Sequence, residues 1–169
     1  MSSEAELAAV LAHEVAHVAK KHIVKEIEQK QFLEAGGTAA ANYLDADPRV
    51  FNMATACGTE LLFKGLSRTD EYQADKNGII YAAEAGYDAT GLVSFLEVLK
   101  GMAESDSSEG VRLLFATHPD IDDRIERAST VISTRRYDET GGATNTDRFG
   151  RYVAPALTTG PGQQDRPPK

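Results

Sequence analysis

The stretch that decides the fold is residues 3–18, which read SEAELAAVLAHEVAHV. Ser3 followed three positions later by Glu6 is a capping box, which predicts that a helix begins at once. The helical pattern weakens towards Leu33, and the glycines at 36–37 are expected to end it. The apolar residues that recur at helical spacing predict the buried face of this helix: Leu7, Leu11, Val15 and Val18.

Within this helix, His13, Glu14 and His17 form the pattern His-Glu-x-x-His. Residues four apart on a helix have Cβ atoms ~5–6 Å apart, so two imidazoles can reach one zinc ion at ~2.0–2.1 Å. The glutamate after the first histidine lies beside the metal without binding it, and can take a proton from zinc-bound water. Two surface histidines would give the same pattern. However, Glu14 falls on the predicted apolar face, where a carboxylate without a chemical role would carry a desolvation cost.

A catalytic zinc site needs three protein ligands and an open position. His22 lies about half a turn away from the first histidine of the motif, so it cannot join the same metal, and a surface or structural role is predicted. Glu71 and Asp75 stand out, because two carboxylates four apart on a predicted helix can supply one ligand and one acceptor for a ligand histidine. Ala74 between them is small enough for a close helix approach. Taken alone, such a pair is typical of a solvated helix face, and His118 is a further candidate ligand.

The rest of the chain predicts further helices and no clear strand, so the fold is predicted to be mainly α. A short apolar run at 111–115 leads to Thr117-His118-Pro119. Residues 138–169 are rich in Gly, Thr, Asn, Asp and Pro, and we expect them to form a flexible or peripheral tail after a core of residues 1–137. The other predicted helices cover residues 48–63, 68–85, 89–103 and 119–133.

Composition excludes several classes of function. A formal charge of −8, from 18 basic and 26 acidic residues, argues against nucleic-acid binding. The single cysteine excludes an intramolecular disulfide and a cysteine-based zinc site. No apolar run approaches the ~20 residues that cross a bilayer, and the polar, acidic start is not a signal peptide. Membrane association is therefore expected only through segments absent from this chain.

These motifs together resemble the zinc endopeptidases that include HtpX and the CAAX prenyl protease, with the soluble periplasmic bacterial members most similar. The resemblance covers roughly residues 3–128. It implies a zincin-like core of the gluzincin type, and a periplasmic or membrane-associated location for the full-length protein. The matching pieces are the zinc motif at 13–17, Ser-Arg-Thr-Asp-Glu-Tyr-Gln-Ala-Asp at 67–75, Ala-Gly-Tyr-Asp at 85–88, Thr-His-Pro at 117–119, and Arg124.

The resemblance also implies roles for individual residues. One zinc ion per chain would be bound by His13, His17 and Glu71, with Glu14 as the general base. Asp75 would orient a ligand histidine, and His13 is the one expected.

Two further residues keep alternatives open. His118 matches a His-Pro loop that faces the active site in the family. It can hydrogen-bond a developing oxyanion, occupy the open zinc position, or simply cap the following helix. Arg124 can pair with Asp75 or Glu71, or form an ordinary surface salt bridge.

One departure from the family concerns the segment before the metal helix. Family members carry strands there, and an edge strand would bind an extended substrate. Here the metal helix starts almost at residue 1, so we expect an N-terminally truncated core.

The implied function is hydrolysis of internal peptide bonds in misfolded or misassembled proteins, by attack of a zinc-bound water that Glu14 activates. The alternative is a zinc-stabilised chaperone-like or binding module with little turnover. A zinc hydrolase for a non-peptide bond has no feature of its own in this sequence.

Overall fold

The computed structural model of the chain describes residues 1–34, 66–105 and 108–158. These residues are mostly helical and contain no strand, only an isolated parallel bridge between Tyr87 and Ala143, so the predicted mainly α fold is confirmed. The helix predicted over residues 48–63 lies outside the described residues. The described helices are α1 (Glu4–Lys20), α2 (His22–Glu34), α3 (Arg68–Glu84), α4 (Gly91–Ser105), α5 (Glu109–Thr117), α6 (Ile121–Thr134), α7 (Tyr137–Thr140), α8 (Thr146–Tyr152) and α9 (Ala154–Thr158).

Serine caps begin the two helices that carry the predicted metal ligands. Ser3 Oγ accepts a hydrogen bond from the Glu6 N–H at 3.2 Å, and Ser67 Oγ accepts one from the Asp70 N–H at 3.2 Å. Each cap satisfies a backbone donor that a helix start leaves unpaired. The Glu6 carboxylate accepts from the Ser2 N–H at 2.7 Å, so the returning half of the capping box reaches one residue further back than expected.

The first predicted helix is interrupted at Lys21. This residue has φ 55° and ψ 40°, in the left-handed region, and its N–H bonds back to the carbonyls of His17 and Val18. A left-handed residue closes a helix by satisfying its last carbonyls. The chain therefore continues as a separate helix, α2, and the prediction of one helix to Leu33 is wrong.

The buried face of α1 is not the predicted one. Leu11, Val15 and Val18 are 57%, 56% and 78% exposed. The buried residues are mostly small, together with Glu6 and the two histidines of the motif: Ala5, Glu6, Ala9, Ala12, His13, Ala16 and His17. Hydrophobicity misleads here because the packing partners approach α1 too closely for large side chains.

Two glycines permit this close approach. A Cβ on Gly78 of α3 would lie 2.9 Å from the His13 backbone nitrogen, and a Cβ on Gly91 of α4 would lie 2.4 Å from the Ala5 carbonyl oxygen. Both distances are shorter than any side chain tolerates beside backbone. Helices α3 and α4 therefore contact α1 backbone to backbone, and α3 does so beside the first histidine of the motif.

The apolar core lies between α1, α3, α4 and α6, which pack on one another in pairs. The short apolar run at 111–115 belongs to helix α5, which ends just before His118. Helix α6 begins at Ile121 rather than at Pro119, after Asp120 in a left-handed conformation. The core residues are Ala9, Ile79, Ala89, Leu92, Leu96, Leu99, Ile121, Ala128 and Ile132.

The segment after residue 137, which was predicted to be a flexible or peripheral tail, is docked over much of its described length. Its Phe149 is 2% exposed. The Thr144 carbonyl accepts from the Glu4 and Ala5 N–H groups at 3.0 and 3.3 Å, so it covers the open start of α1. Up to about Val153 the segment is therefore part of the folded unit, while the boundary at 137 stays a prediction. No helix in the described part of the chain is both long and apolar enough to cross a membrane.

Candidate metal centre

Side chains from two helices and from the residue that follows a third converge at one point. Helix α1 supplies His13 and His17 from successive turns, α3 supplies Glu71 from its first turn, and His118 follows the last residue of α5. The first three are buried, and Glu71 is fully buried. One ligand atom from each of the four residues can be chosen so that all lie within 4.8 Å of one another.

The distances within this group suit a tetrahedral metal. His13 Nε2 lies 2.9 Å from His17 Nε2, and Glu71 Oε2 and Oε1 lie 3.6 and 3.3 Å from these two nitrogens respectively. Ligands bound to zinc at ~2.0–2.1 Å in a tetrahedron lie roughly 3.3 Å apart. The two histidines and the carboxylate therefore already stand at the spacing of a zinc ligand set.

An unsatisfied oxygen supports the same conclusion. Glu71 Oε1 is buried and forms no regular hydrogen bond among the described residues, with the His17 Nε2 nitrogen beside it at 3.3 Å. Leaving a buried carboxylate oxygen without a partner is costly, and native proteins rarely do so without a reason. A cation held between Glu71 and the histidines would satisfy it, so the residues present fit a zinc ion.

Asp75 and Arg124 contact two of the ligand residues, His13 and Glu71. His13 Nδ1 lies 2.8 Å from Asp75 Oδ1. Arg124 Nε and Nη2 each donate to Asp75 at 2.7 Å, and Arg124 Nη1 lies 2.9 Å from Glu71 Oε2. The arginine is itself buried. The prediction of an ordinary surface salt bridge for Arg124 is therefore wrong. Its partners are both Asp75 and Glu71.

This arrangement controls the ionisation of both acids. Burial would raise the pKa of Glu71, but His118 and His17 beside its oxygens and the charge of Arg124 outweigh burial and hold the pKa well below its ordinary value. Burial likewise opposes ionisation of Asp75, whose pKa is nonetheless lowered by Arg124 and His13. Both side chains are thus carboxylates at neutral pH, as metal ligation and histidine orientation require.

Glu14 lies on the open side of the site. Its side chain is 54% exposed, and its Oε1 is 3.9 Å from His118 Nε2. The expectation that Glu14 is buried in an apolar face is wrong, because that face points to solvent. Desolvation therefore gives no support for a role of Glu14, and its position beside the ligands does.

His118 is directed at the site rather than at a helix end. Its Nδ1 lies 3.0 Å from Glu71 Oε2, and its ring nitrogens make no hydrogen bond to the start of α6 among the described residues. The capping role left open for His118 is therefore wrong. The ring bridges the buried Glu71 and the exposed Glu14, and both other roles remain compatible with its position.

Sequence reasoning missed the surroundings of His17. His22 is 1% exposed, its Nδ1 lies 2.9 Å from His17 Nδ1, and its Nε2 lies 2.9 Å from Gln73 Oε1. The predicted surface role is wrong, and the structural one holds. On a continuous helix His22 would lie about half a turn around the axis from His13. The break at Lys21 instead places His22 beside His17. Lysine is not a residue that normally signals a left-handed helix end, so the pattern gave little warning.

An apolar cavity of about 50 Å³ borders the site between α1, α4 and α5. His13, Glu14 and His118 face it from the metal side. Charges act more strongly beside such a low-dielectric wall than in bulk water. Its apolar lining comes from Val10, Leu92, Phe95, Leu96, Leu99 and Leu114.

This chain is similar to known proteins over about three quarters of its length. It is 34% identical over 131 residues to a putative beta-barrel assembly-enhancing protease of Vibrio cholerae, covering 73% of this chain and 26% of that protein. The beta-barrel assembly-enhancing proteases of Yersinia pestis and Escherichia coli K12 are 31% and 29% identical, over 75% of this chain and 27% of each relative. The chain thus spans about a quarter of the length of these curated relatives. No solved structure gives a significant match.

A protein-family model covers the residues of the site. The model of peptidase family M48 matches residues 1–132. The matched region contains all four converging side chains together with Glu14, Asp75 and Arg124. This chain therefore belongs to peptidase family M48.

Proposed function

We propose that this chain is the catalytic core of a zinc-dependent endopeptidase. The observation that carries the proposal is the convergence of His13 Nε2, His17 Nε2 and the Glu71 carboxylate at tetrahedral spacing, with one Glu71 oxygen that forms no regular hydrogen bond among the described residues. Membership of a peptidase family and relatives named as proteases support the same activity.

His13, His17 and Glu71 would hold one zinc ion, with Asp75 fixing the orientation of His13 from 2.8 Å. When bound, zinc supplies a Lewis acid that polarises a carbonyl and makes water acidic enough to attack near neutral pH. Arg124 neutralises part of the charge of Glu71 and Asp75. The two carboxylates can therefore stay ionised without a metal, and the site is formed before the metal enters.

Glu14 would act as the general base. Because it is half-exposed on the open side, it can meet both the attacking water and the substrate. It would remove a proton from the water and deliver it to the amine that leaves. The carboxylate itself is not among the converging ligand atoms, as this role requires.

His118 would stabilise the oxyanion of the tetrahedral intermediate. Its Nδ1 donates to the Glu71 carboxylate, so its Nε2, on the side on which Glu14 lies, donates to the oxyanion only while the ring carries protons on both nitrogens. A donor held in advance where negative charge develops is worth several kcal/mol to the reaction, about 3–4 in known cases. Its attachment to a metal ligand would keep the ring in place through the reaction.

Proteins or peptides are the proposed substrates, and misfolded or misassembled chains are the class expected. The relatives that match are named for beta-barrel assembly, which favours substrates of this kind. A periplasmic location stays part of the proposal.

The direct test combines metal analysis with casein cleavage by wild type and Glu14→Gln. We expect one zinc per chain in both proteins, cleavage by wild type that a chelator abolishes, and a loss of cleavage of at least ~10²-fold in the variant. The exposed Glu28 on α2 offers a matched control, since Glu28→Gln removes the same charge away from the site. Undiminished cleavage by Glu14→Gln would overturn the mechanism. Stoichiometric zinc without any turnover would instead favour the binding module, which no feature of the site supports.

A further inference from the structure

We propose that His22 is a positioning residue that fixes the tautomer of His17, with Gln73 as the outer end of the same hydrogen-bonded chain. The inference rests on the proposed function, because it concerns how His17 is prepared to bind zinc. Nothing in the family match or in the relatives' names bears on either residue.

The hydrogen-bonded chain of side chains runs without a gap from the metal site to the surface. His17 Nε2 points at His13 and Glu71, and His17 Nδ1 lies 2.9 Å from His22 Nδ1. His22 Nε2 in turn lies 2.9 Å from Gln73 Oε1 and 3.6 Å from Asp70 Oδ1. His22 is buried and Gln73 is exposed, so the hydrogen-bonded side chains lead from the ligand His17 to solvent.

Only one order of protons along this chain allows zinc to bind. A neutral histidine that binds metal through Nε2 must carry its proton on Nδ1. His17 must then donate to His22 Nδ1, which in a neutral ring leaves the His22 proton on Nε2. That proton is donated to Gln73 Oε1, and the nearby Asp70 carboxylate favours the same placement.

The reverse order would block the site. If the Gln73 amide nitrogen faced His22, it would donate to Nε2, and His22 would donate from Nδ1 to His17. His17 would then carry its proton on Nε2, where the metal must bind. The acceptor oxygens of Gln73 and Asp70 therefore decide whether His17 Nε2 presents a lone pair to the metal.

The two ligand histidines are thus oriented by different means. His13 faces the ionised Asp75, whereas His17 faces the imidazole ring of His22. One helix, α3, supplies the ligand Glu71, the outer acceptor Gln73 and the partner Asp75 at alternate positions of its first two turns. Removing a residue that orients a ligand histidine typically lowers metal affinity by 10–100-fold.

The first experiment measures zinc affinity by competition with a chelating indicator. We expect His22→Phe, which keeps the ring shape and removes the acceptor, to bind zinc ~10–100-fold more weakly than wild type. His22→Asn, whose amide oxygen can occupy the place of Nδ1, should recover most of that loss. Ile132→Ala is the control, since it destabilises the core away from the site and should leave zinc affinity unchanged. Thermal melting of each metal-free variant identifies those that are folded.

The second experiment tests direction. Gln73→Glu keeps an acceptor and should bind zinc at least as well as wild type, whereas Gln73→Lys offers only donors and should bind more weakly. In the zinc-loaded wild type, long-range ¹⁵N correlations should show His22 as the neutral tautomer with its proton on Nε2. A merely structural buried histidine would not require that tautomer.

The outcomes separate this inference from the proposed function. If wild type takes up no zinc, both are overturned. If wild type binds zinc but His22→Phe binds it equally well, or if His22 carries its proton on Nδ1, only the positioning role is overturned.

Discussion

At the scale of single residues, Arg124 sets the charge balance of the candidate site. It is buried and pairs with two buried carboxylates, Asp75 and Glu71. Removing one partner of a buried ion pair leaves uncompensated charge and typically costs ~3–5 kcal/mol. The stability of the metal-free site therefore depends on this one cation.

We expect Arg124→Met to lower the free energy of unfolding by about 3–5 kcal/mol in the metal-free protein. The cost should be smaller with zinc bound, because the ion replaces the lost positive charge beside Glu71. Urea unfolding with chelator and with zinc measures both values. The exposed Arg127, which lies 4.2 Å from the centre of the Tyr72 ring, provides the control, as Arg127→Met should cost only ~0.5–1 kcal/mol. An equal cost for Arg124→Met in both forms would contradict this role.

His118 gives a prediction whose sign separates its two open roles. If its Nε2 stabilises the oxyanion, His118→Ala should lower kcat by ~10²–10³-fold, with a much smaller change in zinc affinity. If instead His118 fills the open zinc position and keeps the enzyme latent, the same substitution should raise activity. Peptide hydrolysis and zinc titration of the variant together decide between them.

At this scale the sequence was informative where the chemistry is local. His13, Glu14 and His17 lie within one helical turn and a half, so their meeting follows from helix geometry alone. The structure brings Glu71 to them, as expected. His22 escaped prediction because its position depends on one left-handed residue, Lys21, which no standard pattern indicates.

At the scale of the elements, the contact of α1 with α3 decides whether the ligands meet. Gly78 allows the two backbones to touch beside His13. In an exposed helix, Gly→Ala stabilises by up to ~1 kcal/mol because alanine is the better helix former. Here that gain is outweighed, because the new Cβ would lie 2.9 Å from a backbone atom that cannot move aside.

Gly78→Ala is therefore expected to lower both the free energy of unfolding and the affinity for zinc. Gly101 on α4 is the matched control, since a Cβ there would meet nothing within 4 Å. Gly101→Ala should stabilise the protein by ~0.5–1 kcal/mol and leave zinc binding unchanged. Denaturant unfolding and zinc competition give both quantities, and stabilisation by Gly78→Ala would show that the helices are not in tight contact.

The starts of α1 and α3 were easier to predict than the buried face of α1. Ser3 and Ser67 both cap where expected, because capping depends on a few neighbouring residues. The face of α1 was predicted wrongly because large apolar residues such as Leu11 and Val18 remain exposed. Tight backbone contact selects alanine and glycine, and a hydrophobicity pattern gives such residues little weight.

At the scale of the whole molecule, the segment around Phe149 closes the start of α1. This segment was expected to be a flexible or peripheral tail because of its composition. Its packing depends on long-range backbone contacts, such as the bond from the Ala143 N–H to the Gly86 carbonyl at 2.9 Å. Contacts between residues so far apart in sequence leave no periodic pattern, so composition alone does not reveal this docking.

Phe149→Ala should therefore lower the free energy of unfolding by about 3–5 kcal/mol, as expected for a buried phenylalanine. Zinc affinity should stay unchanged, because the segment docks at the start of α1 and the ligands lie towards its end. Tyr152 is 67% exposed, so Tyr152→Ala is the control and should shift stability by no more than ~0.5 kcal/mol. Equal stability of the two variants would show that the packing of Phe149 does not contribute to the folded unit.

The central claim is that α1 and α3 bring two histidines and one carboxylate to a single zinc ion. The most direct measurement is anomalous diffraction at the zinc edge from crystals of the zinc-loaded chain. We expect one anomalous peak, at an ion whose ligands are His13 Nε2, His17 Nε2 and a Glu71 oxygen. No peak at this point, or a peak whose ligands do not include Glu71, would contradict the claim.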